Sequence, residues 1–389
     1  MRNLLLPSLC RMALCSTALE QRPPLAATVS ADIIPEAAST ISGIKHGVTT
    51  KHMVVTANPH ATDAAQKTLS WGGTAADAAI AAQLVLGLVE PQSSGIGGGA
   101  FALHWNNESK QLSSWDGRET APAAIGNDHF MPGGQAMNFF DAVIGGHSVG
   151  TPGVIALLEA LHAKHGSLPW TSLFQPAIKL ARTGFTISPR LYELLVKMPK
   201  VAVNPEISAY FFEADGKTPR AVGTLLTNPA YADTLERIAK KGASEFYSGK
   251  TARNIVKAVA KDPNRPGKLS LDDFKNYSAK QREPVCGAFR QYRICGMGPP
   301  SSGGTSVAAL LGTLQHVASA KTPADDQAHL FAEASRLAFA DRNRFIGDPD
   351  FVQVPTTGLV DADYLRQRST LIKTAASMGK APAGKPPGG

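Results

Sequence analysis

The sequence predicts a mixed α and β (α+β) fold, on three observations. Apolar-periodic stretches bounded by helix start and stop residues fill the middle of the chain, and two alternating stretches, around 100–115 and 282–297, read as β-hairpins. No internal repeat divides the chain. A length of 389 residues allows one or two domains, but a sheet drawn from such distant segments argues for one. Composition agrees: with 43% hydrophobic and 18% charged residues the chain is neither disordered nor coiled-coil, and 36 glycines and 27 prolines suit a loop-rich enzyme better than a helical bundle.

Residues 1–31 read as a secretory signal rather than core. Arg2 precedes Leu4-Leu5-Leu6, an apolar stretch broken by Pro7 and Arg11 follows, and Val29-Ser30-Ala31 offers small residues for cleavage. This places the mature protein in the periplasm or outside the cell. Met53-Val54-Val55 reads as a short strand. Helices are expected over 62–70 and, after the Gly72-Gly73 break, over 75–89, where Thr74 and Asp77 have capping-box spacing. The second is apolar nearly all round, so it is central and buried; at about 22 Å it is too short for a bilayer. No later segment reaches the ~20 apolar residues a membrane span needs, so no membrane span is expected. Gln92 to Gly99 leads into a strand over 100–105, Asn106-Asn107 turns it, and 111–115 returns. Thr151-Pro152 starts a helix ending at Gly166, another covers 171–183, and Asn228-Pro229 starts one ending at Gly242. After the 282–297 hairpin, Pro299 to Gly304 opens a helix and a long one covers 324–345. Residues 374–389, rich in Ala, Gly, Pro and Lys, form a low-complexity tail expected to be flexible.

Charge and motif matches exclude several functions. The net charge of +8 comes from scattered Lys and Arg with no basic run and no interleaved aromatics, so no nucleic-acid partner is expected; small anionic substrates stay open. Gly146-His147-Ser148-Val149-Gly150 fits a nucleophile elbow, but the helix begins too late for Ser148 to sit at a strand-to-helix turn. Gly95 to Ala100 fits a dinucleotide fingerprint with helix and strand in reversed order, and Ser244 to Thr251 fits a phosphate loop preceded by a helix where a strand is required. His162 and His165 have no Cys or His cluster beside them, so neither metal nor cofactor is expected. Cys286 and Cys295 face each other across the second hairpin and either pair or remain buried thiols.

The informative stretch is Trp115-Asp116-Gly117-Arg118-Glu119-Thr120-Ala121-Pro122. A charged group at a strand end suits a substrate clamp, and arginine's planar fork grips a carboxylate with two charge-assisted hydrogen bonds. Spacing alone leaves open a plain ion pair of Arg118 with Asp116 or Glu119. Taken with Glu90-Pro91-Gln92, Gly95 to Phe101, Gly150-Thr151-Pro152-Gly153, Gln175-Pro176-Ala177, Glu245-Phe246-Tyr247, Pro299 to Gly304, Ala340-Asp341-Arg342 and Gly347-Asp348-Pro349, the series resembles the large subunit of γ-glutamyltranspeptidases over residues 53–355.

The resemblance implies an N-terminal-nucleophile hydrolase, an αββα sandwich of which residues 32–373 form the larger portion, completed by a small subunit cut from the same precursor. A Thr expected immediately after Gly389 would be the nucleophile, with its own α-amine as base. Gly389 would then be the residue before the self-cleaved bond, and no catalytic residue is assigned within this chain. The implied reaction moves a γ-glutamyl group from glutathione or a related small-molecule donor to an amino acid, a peptide or water. Arg118 matches the family's arginine for the donor's α-carboxylate; Asp116 and Glu119 either support it or are ordinary surface charges. Alternatives are a cephalosporin or glutaryl acylase-like relative, a poly-γ-glutamate-processing relative, a non-catalytic scaffold lacking the small subunit, and a serine hydrolase using Ser148.

Overall fold

Residues 47–389 are described by the structure, a computed structural model; the leader expected over 1–31 lies outside them. Asn58 caps α1 (Pro59–Ser70), its side chain accepting from the His60 amide at 3.1 Å. Thr74 and Asp77 form the expected capping box at the start of α2 (Ala75–Val89): the Asp77 amide donates to Thr74 Oγ1 at 3.2 Å, and the Thr74 amide donates to Asp77 Oδ2 at 2.9 Å. Ile80, Ala81 and Leu84 are fully buried, so α2 is central, as its all-round apolarity predicts.

Met53 to Val55 is not a strand. No partner strand exists for it among the described residues, and Val55 is 85% exposed. Strands β1 (Ala100–Asn106) and β2 (Gln111–Gly117) form the expected hairpin, pairing Ala100 with Gly117 and Asn106 with Gln111. Helices α3 (Phe139–Val143), α4 (Val154–His165), α5 (Trp170–Leu173) and α6 (Gln175–Thr183) follow. The helix expected at Thr151 starts three residues later. The Thr151 amide instead donates to Thr120 O at 2.8 Å, and the Thr120 amide returns the bond at 3.3 Å, so Thr151-Pro152 is held as a bridge beside the end of β2. The helix expected over 171–183 is likewise two, broken at Phe174.

Beyond them, β3 (Phe185–Thr186) pairs with β4 (Leu225–Leu226), and α7 (Pro189–Lys197) and α8 (Pro205–Phe211) lie between. Helices α9 (Pro229–Lys241), α10 (Ala243–Ser248), α11 (Lys250–Ala260) and α12 (Leu271–Lys275) complete the main core, in which Phe174, Phe212, Phe246 and Phe274 are fully buried. Strand β5 (Lys280–Arg282) then returns to β2, antiparallel, opposing Arg282 to Ser114 and Lys280 to Asp116. The hairpin β6 (Val285–Phe289) and β7 (Tyr292–Gly296) opposes Cys286 to Cys295, which are joined as a disulfide.

Helix α13 (Gly303–Leu314) packs on this hairpin and on α14 (Ala324–Phe345). With α16 (Ala362–Ser369), which follows the short α15 (Thr356–Leu359), they enclose a second small core of Ala309, Ala338, Tyr364 and Leu365. The tail beyond α16 is coil, but the expectation of looseness is corrected. Hydrogen bonds from α14 and α16 side chains fasten it between Ser377 and Gly384. Composition predicted looseness because it cannot show that buried carboxylates elsewhere are aimed at these amides. No helix among the described residues is long and apolar enough to cross a membrane.

Candidate active site

The end of β2 and the return strand β5 bring together the residues the sequence singles out and several it does not. Asp116, buried at the strand end, spends one oxygen on each neighbour: Oδ1 accepts from the Arg118 amide at 2.9 Å, and Oδ2 accepts from Arg282 Nε at 2.7 Å. Arg282 in turn grips Asp350 with both terminal nitrogens, at 3.2 and 2.8 Å, and Lys280 Nζ reaches the same carboxylate at 2.6 Å. Lys280 and Arg282 are two apart on one short strand, so both side chains lie on the same face of it. The Arg282 and Lys280 hydrogen bonds hold the Asp350 carboxyl down at about 2 despite partial burial. The Asp350 bond, working with Asp116 and against burial, holds Arg282 above its ordinary range.

The carbonyl of Arg118 is held as firmly as its amide. Tyr277 Oη donates to it at 2.7 Å, and burial, then the negative charges of Asp116 and Glu119, push that phenol up, so it remains a donor at any physiological pH. Tyr277 stacks on Tyr247, ring centroids 5.5 Å apart, and Tyr247 Oη donates to Pro152 O at 2.8 Å. Gly153 is the hub of this packing. Its amide donates to Gly98 O at 2.9 Å, and any Cβ there would overlap Tyr277 Oη and the Gly117 carbonyl. The Gly-rich run before β1 is thus a turn tied to Gly153 through the Gly98 carbonyl, with Gly97 open to solvent. A Cβ on Gly99 would lie 2.6 Å from Glu119 Oε2, so bare backbone is what gives the Glu119 carboxylate its place.

What is fixed is the backbone of Arg118, not its guanidinium. The side chain is exposed, and no carboxylate of the described residues lies within ion-pair distance of it. The simple pairing with Asp116 is thereby replaced: Asp116 pairs with Arg282 and supports Arg118 only through the main chain. Arg118, Glu119 and Tyr277 line, with Lys280, Arg282 and Asp350, a polar cleft of about 190 Å³. Small-molecule pockets ordinarily run to roughly 300–1,000 Å³, so the cleft has the size of part of a site. Tyr277, Lys280, Arg282 and Asp350 escaped the sequence reading. The alternation Lys280-Gln281-Arg282, beside the quoted Gly347-Asp348-Pro349, was the available signal.

The motif decoys take structural places. Ser148 Oγ donates to Val143 O at 2.8 Å on a short 3-10 turn, away from any strand-to-helix elbow. His147 stacks on His129, and each ring nitrogen meets the other's carbonyl. His162 Nε2 meets Leu168 O at 2.8 Å, and His165 stacks on His104. Ser244 to Ser248 is helical, and buried Glu245 accepts from Arg237 Nε at 3.2 Å.

Comparison with known proteins gives this geometry its family. The family model for γ-glutamyltranspeptidase matches residues 61–387. The chain is 35% identical over 341 residues to the glutathione hydrolase proenzyme of Bacillus subtilis (strain 168), covering 86% of this chain and 57% of that protein. It is 33% identical over 349 residues to the acylase ACY 1 proenzyme of Pseudomonas sp. (strain V22), covering 87% and 61%. It thus spans little more than half the length of these relatives. Among solved structures, the Helicobacter pylori γ-glutamyltranspeptidase superposes with a TM-score of 0.82 at 32% identity, over 88% of this chain and 97% of that one. The α+β fold is that of this group, and by model match, relatives and structure alike the chain belongs to the γ-glutamyltranspeptidase family.

Proposed function

We propose that this chain is the larger portion of a γ-glutamyltranspeptidase, residues 32–373 forming its part of one αββα domain and 374–389 leading to a bond that the precursor cuts after Gly389. The observation that carries the reading is Arg118. Its main chain is clamped at both the amide and the carbonyl while its guanidinium has no ion-pair partner among the described residues, as a group kept for an external carboxylate would. Arg118 holds the α-carboxylate of the donor; Asp116 and Tyr277 set its position, and Glu119 adds negative charge beside it.

Maturation and turnover use the same hydroxyl, that of the Thr proposed to follow Gly389. In maturation its oxygen bonds to the Gly389 carbonyl carbon as the peptide C–N bond breaks, and its proton passes to the new α-amine. Water then hydrolyses the ester to a Gly389 carboxylate and restores the hydroxyl. In turnover the same oxygen attacks the γ-glutamyl carbonyl, the α-amine takes its proton and passes it to the leaving amine, and water or an acceptor amine releases the acyl group. The working enzyme is thus a heterodimer of two chains from one precursor, exported to the periplasm or secreted.

Likeness to the Pseudomonas acylase favours a second reading, an acylase for other acyl donors. The test is to express the coding sequence through its natural stop and follow hydrolysis of γ-glutamyl and glutaryl anilides. A second chain beginning with Thr and preference for the γ-glutamyl donor are expected. Preference for glutaryl, which keeps that carboxylate but lacks the α-amino group, transfers the assignment to the acylase reading, and no second chain refutes both.

A further inference from the structure

The coil after α16 is held by groups too costly to be filler. Glu333 and Asp341, 1% and 4% exposed, lie eight residues apart on α14, about 12 Å along its axis. Glu333 Oε2 accepts from the Met378 amide at 2.7 Å and Oε1 from Ser377 Oγ at 2.8 Å. Asp341 Oδ1 accepts from the Gly384 amide at 2.7 Å, and its Oδ2 from Tyr364 Oη at 2.8 Å. Arg368 Nη2 bridges Asp341 Oδ1, at 3.1 Å, and Pro382 O, at 2.6 Å. The backbone is fitted as closely: a Cβ on Gly384 would overlap Tyr364 Oη, and one on Gly358 would overlap Pro387 O. Beyond Pro387, the Gly389 amide donates to Pro386 O at 3.0 Å, and a Cβ on Gly389 would lie 3.2 Å from the Phe345 ring at the last turn of α14.

Burying two carboxylates and a guanidinium is a poor way to gain stability alone, since apolar contacts of similar volume usually serve as well. What charged groups on a rigid helix add is register. Each carboxylate selects one amide of the passing chain, Met378 for Glu333 and Gly384 for Asp341, and a slip by one residue breaks both bonds even though Arg336 and Arg368 keep the two charges paired. We propose that Glu333, Asp341 and Arg368 are positioning residues for self-cleavage, fixing the register of 377–387 so that the bond after Gly389 is presented to the attacking hydroxyl. The inference rests on the self-cleavage reading above and adds to it the residues that align the bond.

The test uses the full-length precursor, purified early and followed by gel and mass spectrometry for self-cleavage. Glu333→Gln and Asp341→Asn are expected to slow cleavage roughly tenfold or more, the scale of a misplaced reacting bond, while the matured fraction keeps wild-type kcat and KM. A merely structural role would lower turnover as well. Should either variant fail to fold, register decides. One glycine inserted between Pro387 and Gly388, beyond the clamp, is expected to slow cleavage, whereas one inserted between Ala375 and Ala376, before it, is expected to leave the rate unchanged. Equal rates for both insertions, or wild-type rates in folded clamp variants, overturn the clamp. A wild-type precursor that never cleaves overturns instead the reading on which it stands.

Discussion

Replacing Arg118 in the assembled two-chain enzyme separates a substrate clamp from a surface charge. The structure makes the experiment clean, because both bonds that hold residue 118 come from its main chain: the amide to Asp116 Oδ1 and the carbonyl from Tyr277 Oη. Lysine or alanine at 118 retains them. Lysine keeps the positive charge but replaces a planar fork with a point donor, losing one of two charge-assisted bonds to a carboxylate. A hydrogen bond to a charged group is worth about 1.5–3 kcal/mol, so Arg118→Lys should raise donor KM about 10- to 150-fold. Arg118→Ala should raise it further. Steady-state hydrolysis of a γ-glutamyl anilide gives KM and kcat, and a thermal melt should move little, since Arg118 is exposed. A donor KM for Arg118→Lys within twofold of wild type refutes the assignment.

Gly153→Ala should destabilise by about 1–3 kcal/mol or more, because its methyl meets the Gly117 carbonyl, which cannot yield; a melt checks it, with a raised donor KM as Tyr277 is displaced. Asp350, whose folded pKa falls from 3.8 to about 2, adds stability that is fully present above 3.8 and lost as pH falls toward 2. Urea unfolding at pH 5 and pH 2.5 should therefore show a steeper acid loss in wild type than in Asp350→Asn. Reduction of the Cys286–Cys295 bond, which closes a short loop, should cost about 2–3 kcal/mol, and alkylation should label both thiols only after a reductant is added. Ser148→Ala should leave activity unchanged, and a fluorophosphonate probe should not label Ser148, whose hydroxyl is committed to the Val143 carbonyl.

Elements whose signals are local were legible in the sequence. Helix α2 begins and ends where its capping box and apolar pattern put it, α14 covers its expected range, and the first hairpin follows its Asn-Asn turn. Local chemistry failed where a distant partner outbid it. Thr151-Pro152 has the composition of a helix start, yet Thr151 is taken by Thr120, thirty-one positions earlier. The candidate site divides the same way. Arg118 was found from its place at a strand end and from the family series. Tyr277 and Arg282, 159 and 166 positions from the residues they hold, carry no mark in their own neighbourhoods. Both are parts of a surface assembled only when β5 returns to β2.

One device recurs wherever coil must be held without a ladder of its own: a carboxylate on a helix or strand accepts from amides of a passing loop. Asp77 Oδ2, at the start of α2, takes the amides of Thr74, Ser167 and Leu168; Glu159 of α4 takes that of Ala243; Asp273 of α12 takes that of Ala123. Asp116 at Arg118, and Glu333 and Asp341 at the terminal coil, are further instances. An ionised carboxylate suits the task because it only accepts and has about four lone-pair sites, so one residue can satisfy several orphan amides. Asp77 shows the cost: burial pushes its pKa up, and only the amides of Thr74, Ser167 and Leu168, with the Ser167 hydroxyl, bring it below the ordinary range. Losing the loop would strand the charge, so loop and carboxylate stabilise each other, and the loop's register is fixed as a result. In a linear sequence the same acids read as solvated helix faces or caps. That explains why the coil before Gly389, where the proposed chemistry needs exact placement, reads in the sequence as a flexible tail.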